Sequence, residues 1–206
     1  HYPEINIAPE NKAVQFLEVV IAKQIALVVE WMRVGFIHGV MNTDNVAISG
    51  ETIDFGPCAM IGIYDPHTVY SSIDTKGRYA FGNQPNITLW NMTRLAECLL
   101  PLISNDEKAA IAIVEPLLMQ FSQQFEHAYF KMLANKLGLT EIAPSDQIFI
   151  AELLEIMKNK RLDYTQLFTD LTQSLDDDSL AHTLKDKLGD WYDRWKVYSG
   201  DSQKRN

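Results

Sequence analysis

The sequence predicts a mainly α-helical fold with one small β-hairpin. Apolar residues recur at helical spacing over several long stretches, and Gly or Pro residues separate those stretches. The hairpin is predicted over residues 46–53, where two short segments flank a turn at Gly50. With 206 residues, 47% of them hydrophobic, the chain is long enough to bury a sizeable core.

The first predicted helix covers residues 12–34 and follows an irregular N-terminal segment, residues 1–10. Asn11 is its predicted N-cap, and Gly35 marks its end. Most of its surface is apolar, which is typical of a helix that is buried on several sides. Charged residues interrupt the apolar run, so we expect no membrane span here.

The segment from Pro57 to Pro85 has no sustained helical or alternating pattern. A segment this long without such a pattern is usually functional or disordered. Within it, Lys76 and Arg78 could face a phosphate group or a protein substrate. For Arg78 a structural ion pair is the favoured role.

The rest of the chain is predicted to be helical, with Pro and Gly residues at the boundaries. Pro101 is expected to stop the first of these helices, and Pro116 is expected to kink or divide the second. The predicted helices cover residues 85–100, 106–137, 145–158, 164–175 and 179–198.

Two features near the C-terminus have simple structural interpretations. The run of Asp residues at 176–178 is predicted to be a solvated connection with N-cap character. Trp191, Tyr192 and Trp195 are predicted to lie in the core. We expect one domain over residues 1–198 and a mobile tail over residues 199–206.

Composition excludes several classes of protein. A net charge of −9 argues against a general nucleic-acid binder, because phosphate contacts need clustered Lys and Arg. Cys58 and Cys98 are isolated, so neither a zinc site nor a disulfide framework is expected. Reduced thiols fit the cytoplasm of a bacterium, or mitochondria if the source is eukaryotic. A sequence that starts at His1 suggests a fragment of a longer chain.

The residues that carry chemistry lie between the first helix and the long irregular segment. Protein kinases have the pattern H-R-D-L-x-x-x-N, followed after a short hairpin by D-F-G. Here His38 and Asn45 keep that spacing, and Asp54-Phe55-Gly56 follows. The position of the kinase catalytic Asp is Val40, and a carboxylate is found instead at Asp44. The metal-binding half of a kinase site is therefore present, and the usual base is missing.

Asn45 and Asp54 are residue types that bind kinase metal ions, and the predicted hairpin would make them neighbours. Nucleotide phosphates are handled through Mg²⁺, which prefers oxygen ligands and takes one or two protein carboxylates. His38 could act as an acid or a base, but a structural brace for the loop is favoured. Asp44 could be a general base, or it could bind metal or orient the loop.

Three segments resemble the selenoprotein O family, whose members look like pseudokinases and act as protein adenylyltransferases. The segments are residues 37–45 (IHGVMNTDN), 52–57 (TIDFGP) and 76–85 (KGRYAFGNQP). The resemblance runs from about Val14 to about Trp195. It implies a protein-kinase-like C-lobe, with the N-lobe of the longer family members absent from this chain.

The resemblance also implies a reaction. AMP would pass from ATP to Ser, Thr or Tyr hydroxyls of protein substrates, with ATP bound in a flipped orientation relative to a kinase. Mg²⁺ or Mn²⁺ would be held by Asn45 and Asp54, and Asp44 would be the catalytic carboxylate. Without the N-lobe, which carries the Gly-rich loop and paired Lys of kinases, this chain alone is expected to be inactive.

Two other functions remain open at this point. A phosphotransferase could use the same metal-binding motif, although Val40 in place of Asp weighs against it. A non-catalytic pseudokinase scaffold could bind partners through its helical surface, although retention of both metal-ligand types weighs against that function.

Overall fold

A computed structural model describes Tyr2, Ile5, residues 12–139 and residues 143–203. The predicted N-cap Asn11 and most of residues 1–10 lie outside this described part. Within it, the elements follow in this order: α1 (Lys12–Val34), β1 (Phe36–Ile37), a 3₁₀ turn (Thr43–Asn45), β2 (Ala59–Met60), a second 3₁₀ turn (Phe81–Asn83), α2 (Gln84–Ile103), α3 (Glu107–Lys136), α4 (Pro144–Asn159), α5 (Tyr164–Gln173), α6 (Asp178–Leu188) and α7 (Asp190–Gln203). The prediction of a mainly helical chain with one small two-stranded sheet is confirmed.

Helix α1 has the predicted bounds and lies in the middle of the fold. It packs against both α2 and α3 and buries apolar side chains on more than one side. Gly35 ends it with a φ of +78°, and a Cβ atom there would lie 2.7 Å from Ile61 Cγ2. Only glycine fits this turn, which directs the chain into β1 and the loop that follows.

The position of the sheet differs from the prediction. The two paired strands are β1 and β2, which join antiparallel with Phe36 opposite Met60. They enclose the loop instead of forming the hairpin predicted at residues 46–53. That hairpin is reduced to one isolated bridge between Val46 and Thr52, closed by a turn in which Gly50 N–H donates to the Ala47 carbonyl at 3.0 Å.

Side chains of α1 explain why the short hairpin holds its shape without a longer ladder. Gln24 Nε2 donates to the Ala47 carbonyl at 2.7 Å. Trp31 Nε1 donates to Thr52 Oγ1 at 2.9 Å. These hydrogen bonds from α1 take the place of further strand-to-strand hydrogen bonds, and they hold residues 46–52 against the core.

Proline positions do not interrupt the helices as predicted. Helix α2 continues past Pro101 to Ile103, and α3 is unbroken through Pro116. A proline inside a helix costs about 3 kcal/mol or more. Both helices pack against each other and against α1, and this packing outweighs the local penalty.

The C-terminal helices contain one break that the sequence analysis missed. The predicted helix over residues 179–198 is two helices, because Gly189 adopts a φ of +62° between α6 and α7. Helix α7 continues to Gln203, so the segment expected to be a tail is helical up to that residue. Residues 204–206 lie outside the described part.

The aromatic cluster and the Asp run have the roles predicted for them. Trp191 stacks on Phe149 with ring centroids 4.6 Å apart, and its Nε1–H donates to the Phe149 carbonyl. Trp195 is also buried and donates to the Leu137 carbonyl at 3.0 Å. Asp177 is the N-cap of α6 and accepts from two backbone N–H groups. No helix in the described part is long and apolar enough to cross a membrane.

Candidate active site

His38 begins the loop after β1 and is completely buried. Its Nε2 lies 2.8 Å from the Ile53 carbonyl, an acceptor, so Nε2 carries the proton. Its Nδ1 is then free to accept a long hydrogen bond from Val40 N–H at 3.4 Å. Both ring nitrogens are therefore used by the backbone, and the residue braces the loop as the sequence analysis favoured.

Two buried polar side chains of α2 hold the same loop from the other side. Gln84 accepts from His38 N–H at 3.0 Å and donates to the Phe36 carbonyl at 3.1 Å. Asn91 donates to the Met41 carbonyl at 3.0 Å. The loop backbone is thus hydrogen-bonded to α2 at two points, about two helical turns apart on the same face.

Sequence reasoning missed Gln84 and Asn91, although a signal was present. The two residues are separated by seven positions and lie on the buried face of α2, together with Ile87 and Thr88. Polar side chains on an apolar helix face need partners, because a buried polar group without one costs free energy. That pattern could have identified them as supports for a neighbouring backbone.

Gly39 brings the loop into contact with the segment that follows Asp54-Phe55-Gly56. It has a φ of +85°, and a Cβ atom there would lie 2.9 Å from the Pro57 carbonyl oxygen. The close approach leaves no room for a side chain. The loop after His38 and the segment directly after Gly56 therefore pack closely against each other.

The 3₁₀ turn Thr43–Asn45 presents Asp44 and Asn45. The turn is closed by Asn45 N–H, which donates to the Asn42 carbonyl at 3.0 Å. Asn45 Nδ2 donates back to the Val40 carbonyl at 3.1 Å. This bond orients the carboxamide and leaves its oxygen as the atom that can face a ligand.

Asp54 is brought to the same place by the contacts of its neighbours. The bridge between Val46 and Thr52 joins the residue after Asn45 to the residue two before Asp54. The bond from His38 to the Ile53 carbonyl fixes the residue directly before Asp54. Asp54 itself has a φ of +53°, an unusual backbone conformation that is typical of strained positions at functional sites.

Both carboxylates are exposed and chemically available. Neither Asp44 nor Asp54 forms an ion pair or a side-chain hydrogen bond with any described residue. Asn45 is half-buried, as expected for the member of the set that the loop backbone orients. Asp44 and Asn45 thus lie on the braced turn, and Asp54 directly follows the residue that His38 holds. We call these three residues the loop cluster; that their side chains form one site stays a prediction.

The donor set fits a hard divalent cation. It offers two carboxylates and one carboxamide oxygen, and Mg²⁺ is usually bound by one or two carboxylates while it keeps several waters. Among the described residues, no group of three or more His, Cys, Asp or Glu side chains is gathered at metal-binding distance. A closed cage of protein ligands is therefore not what this loop offers.

The long segment after the motif is tied to the loop by Tyr79. Its hydroxyl donates to Asn42 Oδ1, two residues before Asp44. The Asp74 carboxylate accepts from the backbone N–H groups of Arg78 at 2.8 Å and Tyr79 at 2.7 Å. The ion pair favoured for Arg78 is absent among the described residues, and its guanidinium lies over the Trp90 ring, 4.7 Å from the centroid.

The groups with shifted pKa values lie away from this loop. Burial, followed by the charge of Glu155, raises the pKa of Tyr64 to about 12. Burial also raises the pKa of Tyr164 and of Tyr129. Burial, with the nearby charge of Arg33, lowers the pKa of Lys136 to about 8. These phenols stay neutral at physiological pH and act as parts of the core.

Comparisons with known proteins show to which family the chain belongs. A family profile described as "Protein adenylyltransferase SelO" matches residues 1–196. Proteins described as "Protein nucleotidyltransferase YdiU" are similar as well. The one from Pseudoalteromonas translucida (strain TAC 125) is 49% identical over 201 residues, which cover 98% of this chain and 42% of the relative. The one from Teredinibacter turnerae (strain ATCC 39867 / T7901) is 50% identical over 199 residues, 96% of this chain and 41% of the relative.

A third relative, from Pelagibacter ubique (strain HTCC1062), bears the same description and is 50% identical over 197 residues. It is covered over 40% of its length and covers 96% of this chain. This chain therefore spans about two fifths of the length of these curated relatives. The match over residues 1–196 shows that the chain belongs to the protein adenylyltransferase SelO family.

Proposed function

We propose that this chain is the kinase-like C-lobe of a protein adenylyltransferase that transfers AMP from ATP to Ser, Thr or Tyr hydroxyls of proteins. The observation that carries the proposal is the loop cluster, in which Asp44, Asn45 and Asp54 have side-chain oxygen atoms without a partner among the described residues. The descriptions of the family and of the relatives support nucleotidyl transfer. Because the chain spans about 42% of a relative, the reaction belongs to the longer protein.

Asn45 and Asp54 would hold Mg²⁺ or Mn²⁺ together with the phosphates of ATP. When bound, the cation supplies neutralisation of phosphate charge, which provides much of the rate enhancement in this class of reaction. Asn45 suits this role because its amide nitrogen is already bonded to the Val40 carbonyl and its oxygen remains available. Asp54 suits it because its exposed carboxylate has no described partner.

Asp44 is the proposed proton acceptor. As the hydroxyl oxygen of the substrate bonds to the α-phosphorus, its proton passes to the Asp44 carboxylate. The bond from that phosphorus to the bridging oxygen breaks, and pyrophosphate leaves with the electron pair. Val40 has no acidic group and its backbone is bonded to His38 and Asn45, so the kinase base position cannot do this.

The remaining parts of the site would come from the same longer protein. ATP needs to be held as well as neutralised, since positioning contributes much of the rate of a transfer reaction. We propose that an N-lobe supplies those contacts, that residues 1–198 are one C-lobe domain, and that residues 1–206 alone transfer nothing. Bacterial relatives and two unpaired cysteines, Cys58 and Cys98, support a cytoplasmic location.

The position of the isotope in ATP shows which group of ATP is transferred to the substrate protein. The full-length protein is incubated with a substrate protein and with ATP labelled at either the α- or the γ-phosphate. Adenylyl transfer predicts that label is retained from the α-position and none from the γ-position. Label from the γ-phosphate would instead indicate a phosphotransferase, and label from neither would indicate a non-catalytic scaffold.

A further inference from the structure

We propose that Arg78 binds an oxyanion group next to the loop cluster, either a carboxylate of the protein substrate or a phosphate of the nucleotide. The proposal rests on the proposed function for its biological meaning, but its binding chemistry can be tested separately. Three observations support it: the guanidinium has no acidic partner, it is held against aromatic rings, and it is connected to the loop cluster.

The first observation is the unpaired charge of Arg78. Its exposed guanidinium makes no ion pair and no side-chain hydrogen bond within the described residues. By contrast, other arginines have acidic partners at 2.6 Å: Arg33 with Glu30, Arg94 with Glu97, and Arg194 with Glu152. Of the arginines that the structure describes, Arg78 and Arg161 are the two without such a partner.

The second observation is that the side chain is held in place. Its guanidinium lies 4.7 Å from the Trp90 ring centroid and 5.8 Å from that of Tyr79. Its backbone N–H is bound by the Asp74 carboxylate. An arginine held over a ring loses less conformational freedom when a ligand arrives, so the site is partly pre-organised.

The third observation is its connection to the site. Tyr79, whose ring contacts the guanidinium, donates its hydroxyl proton to Asn42 Oδ1. Asn42 in turn closes the turn that presents Asp44 and Asn45. A group bound by Arg78 would therefore lie beside the loop where the transfer is proposed to occur.

The shape of the guanidinium defines the ligand. Its planar fork of N–H donors matches the two oxygens of a carboxylate or of a phosphate, and these donors make no hydrogen bond to any described residue. A lysine would keep the charge and lose the fork. An acidic residue near the acceptor hydroxyl of a protein substrate, or a phosphate of bound ATP, has the required chemistry.

Binding measurements on the full-length protein test this without turnover. The probes are a fluorescein-labelled peptide with one Ser between short runs of Glu, a matched peptide with Gln in place of each Glu, and a non-hydrolysable ATP analogue. Arg78→Gln should weaken the binding of either the Glu peptide or the ATP analogue by about tenfold, which is the loss of affinity expected for charge-assisted hydrogen bonds. Arg78→Lys should give an intermediate loss, and thermal unfolding checks that both variants are folded.

The matched control is Arg194→Gln, since Arg194 also lies over an aromatic ring, that of Phe149, but is paired with Glu152. If Arg78→Gln loses affinity for the Glu peptide alone, the site binds the protein substrate. If it loses affinity for the ATP analogue alone, the site binds the nucleotide. Three results would overturn the proposal. In Arg78→Gln, both probes could bind as in the wild type, or the affinity for the Gln peptide could fall as much as that for the Glu peptide. In Arg194→Gln, the affinity could fall as much as in Arg78→Gln. If Arg78→Gln loses binding but the full-length protein transfers no AMP, the oxyanion site stands and the proposed function fails.

Discussion

Gln84 offers the sharpest test of how the fold supports the loop. It is fully buried and satisfies two buried backbone groups, His38 N–H and the Phe36 carbonyl. Gln84→Met keeps the length of the side chain and removes both hydrogen bonds. Each buried group left without a partner costs about 1–3 kcal/mol, so the free energy of unfolding should fall by about 2–6 kcal/mol.

Urea denaturation of the chain, followed by tryptophan fluorescence, measures that loss. Gln120→Met is the matched control, because Gln120 is exposed on α3 and should change stability by less than about 0.5 kcal/mol. If the two variants unfold at the same urea concentration, Gln84 does not support the loop and the bracing argument is wrong.

The remaining predictions concern the site, the backbone and pH. In the full-length protein, Asp54→Ala should abolish label transfer from α-labelled ATP. Asp44→Asn should slow that transfer by about 10²–10⁴-fold, the usual contribution of a general base. Equal and small effects of the two substitutions would contradict these roles. Gly39→Ala should destabilise the chain in urea more than Gly138→Ala does, because both have positive φ but only at Gly39 would a Cβ meet backbone, at 2.9 Å. The pKa of Lys136 is about 8 in the folded chain and near 10.5 in the unfolded chain, so between these pH values the unfolded chain binds more protons. The free energy of unfolding of the wild type should therefore rise above about pH 8 relative to that of Lys136→Met. Parallel curves of stability against pH for the two proteins would contradict this.

The structural reason for the Lys136 prediction lies in its surroundings. Its ammonium donates to the Arg33 carbonyl at 2.8 Å and lies over the rings of Tyr164 and Phe168. Burial and the positive charge of Arg33 both disfavour the charged form. The comparison is best made between about pH 8 and 9, where unfolded tyrosines, with a pKa near 10, are mostly neutral.

Features set by local chemistry could be predicted from the sequence. Helix α1 has the predicted bounds because its apolar residues recur at helical spacing up to a glycine at the required turn. The Asp177 cap and the buried Trp191 followed from residue type in the same way. The bracing role of His38 also followed from its kinase-like spacing, and its two backbone contacts agree with it; the roles of Asn45 and Asp54 stay predictions.

Features decided by tertiary contacts could not be predicted. Strands β1 and β2 are two residues long, too short to show a pattern, and they pair because the chain returns to Gly35. Helical spacing continues across Gly189, so only its positive φ reveals the break between α6 and α7. The stacking of Arg78 on Trp90 depends on two segments that meet only in the folded chain.

Binding of Mn²⁺ to the full-length protein, measured by electron paramagnetic resonance in the presence of a non-hydrolysable ATP analogue, tests the central claim most directly. The claim is that Asn45 and Asp54 of the loop cluster hold the cation for nucleotidyl transfer. Wild type and the control Asp106→Asn, whose carboxylate caps α3 away from the loop, should bind Mn²⁺ alike. Asp54→Asn and Asn45→Leu should each lose that binding, whereas Mn²⁺ bound equally well by all four proteins would contradict the claim.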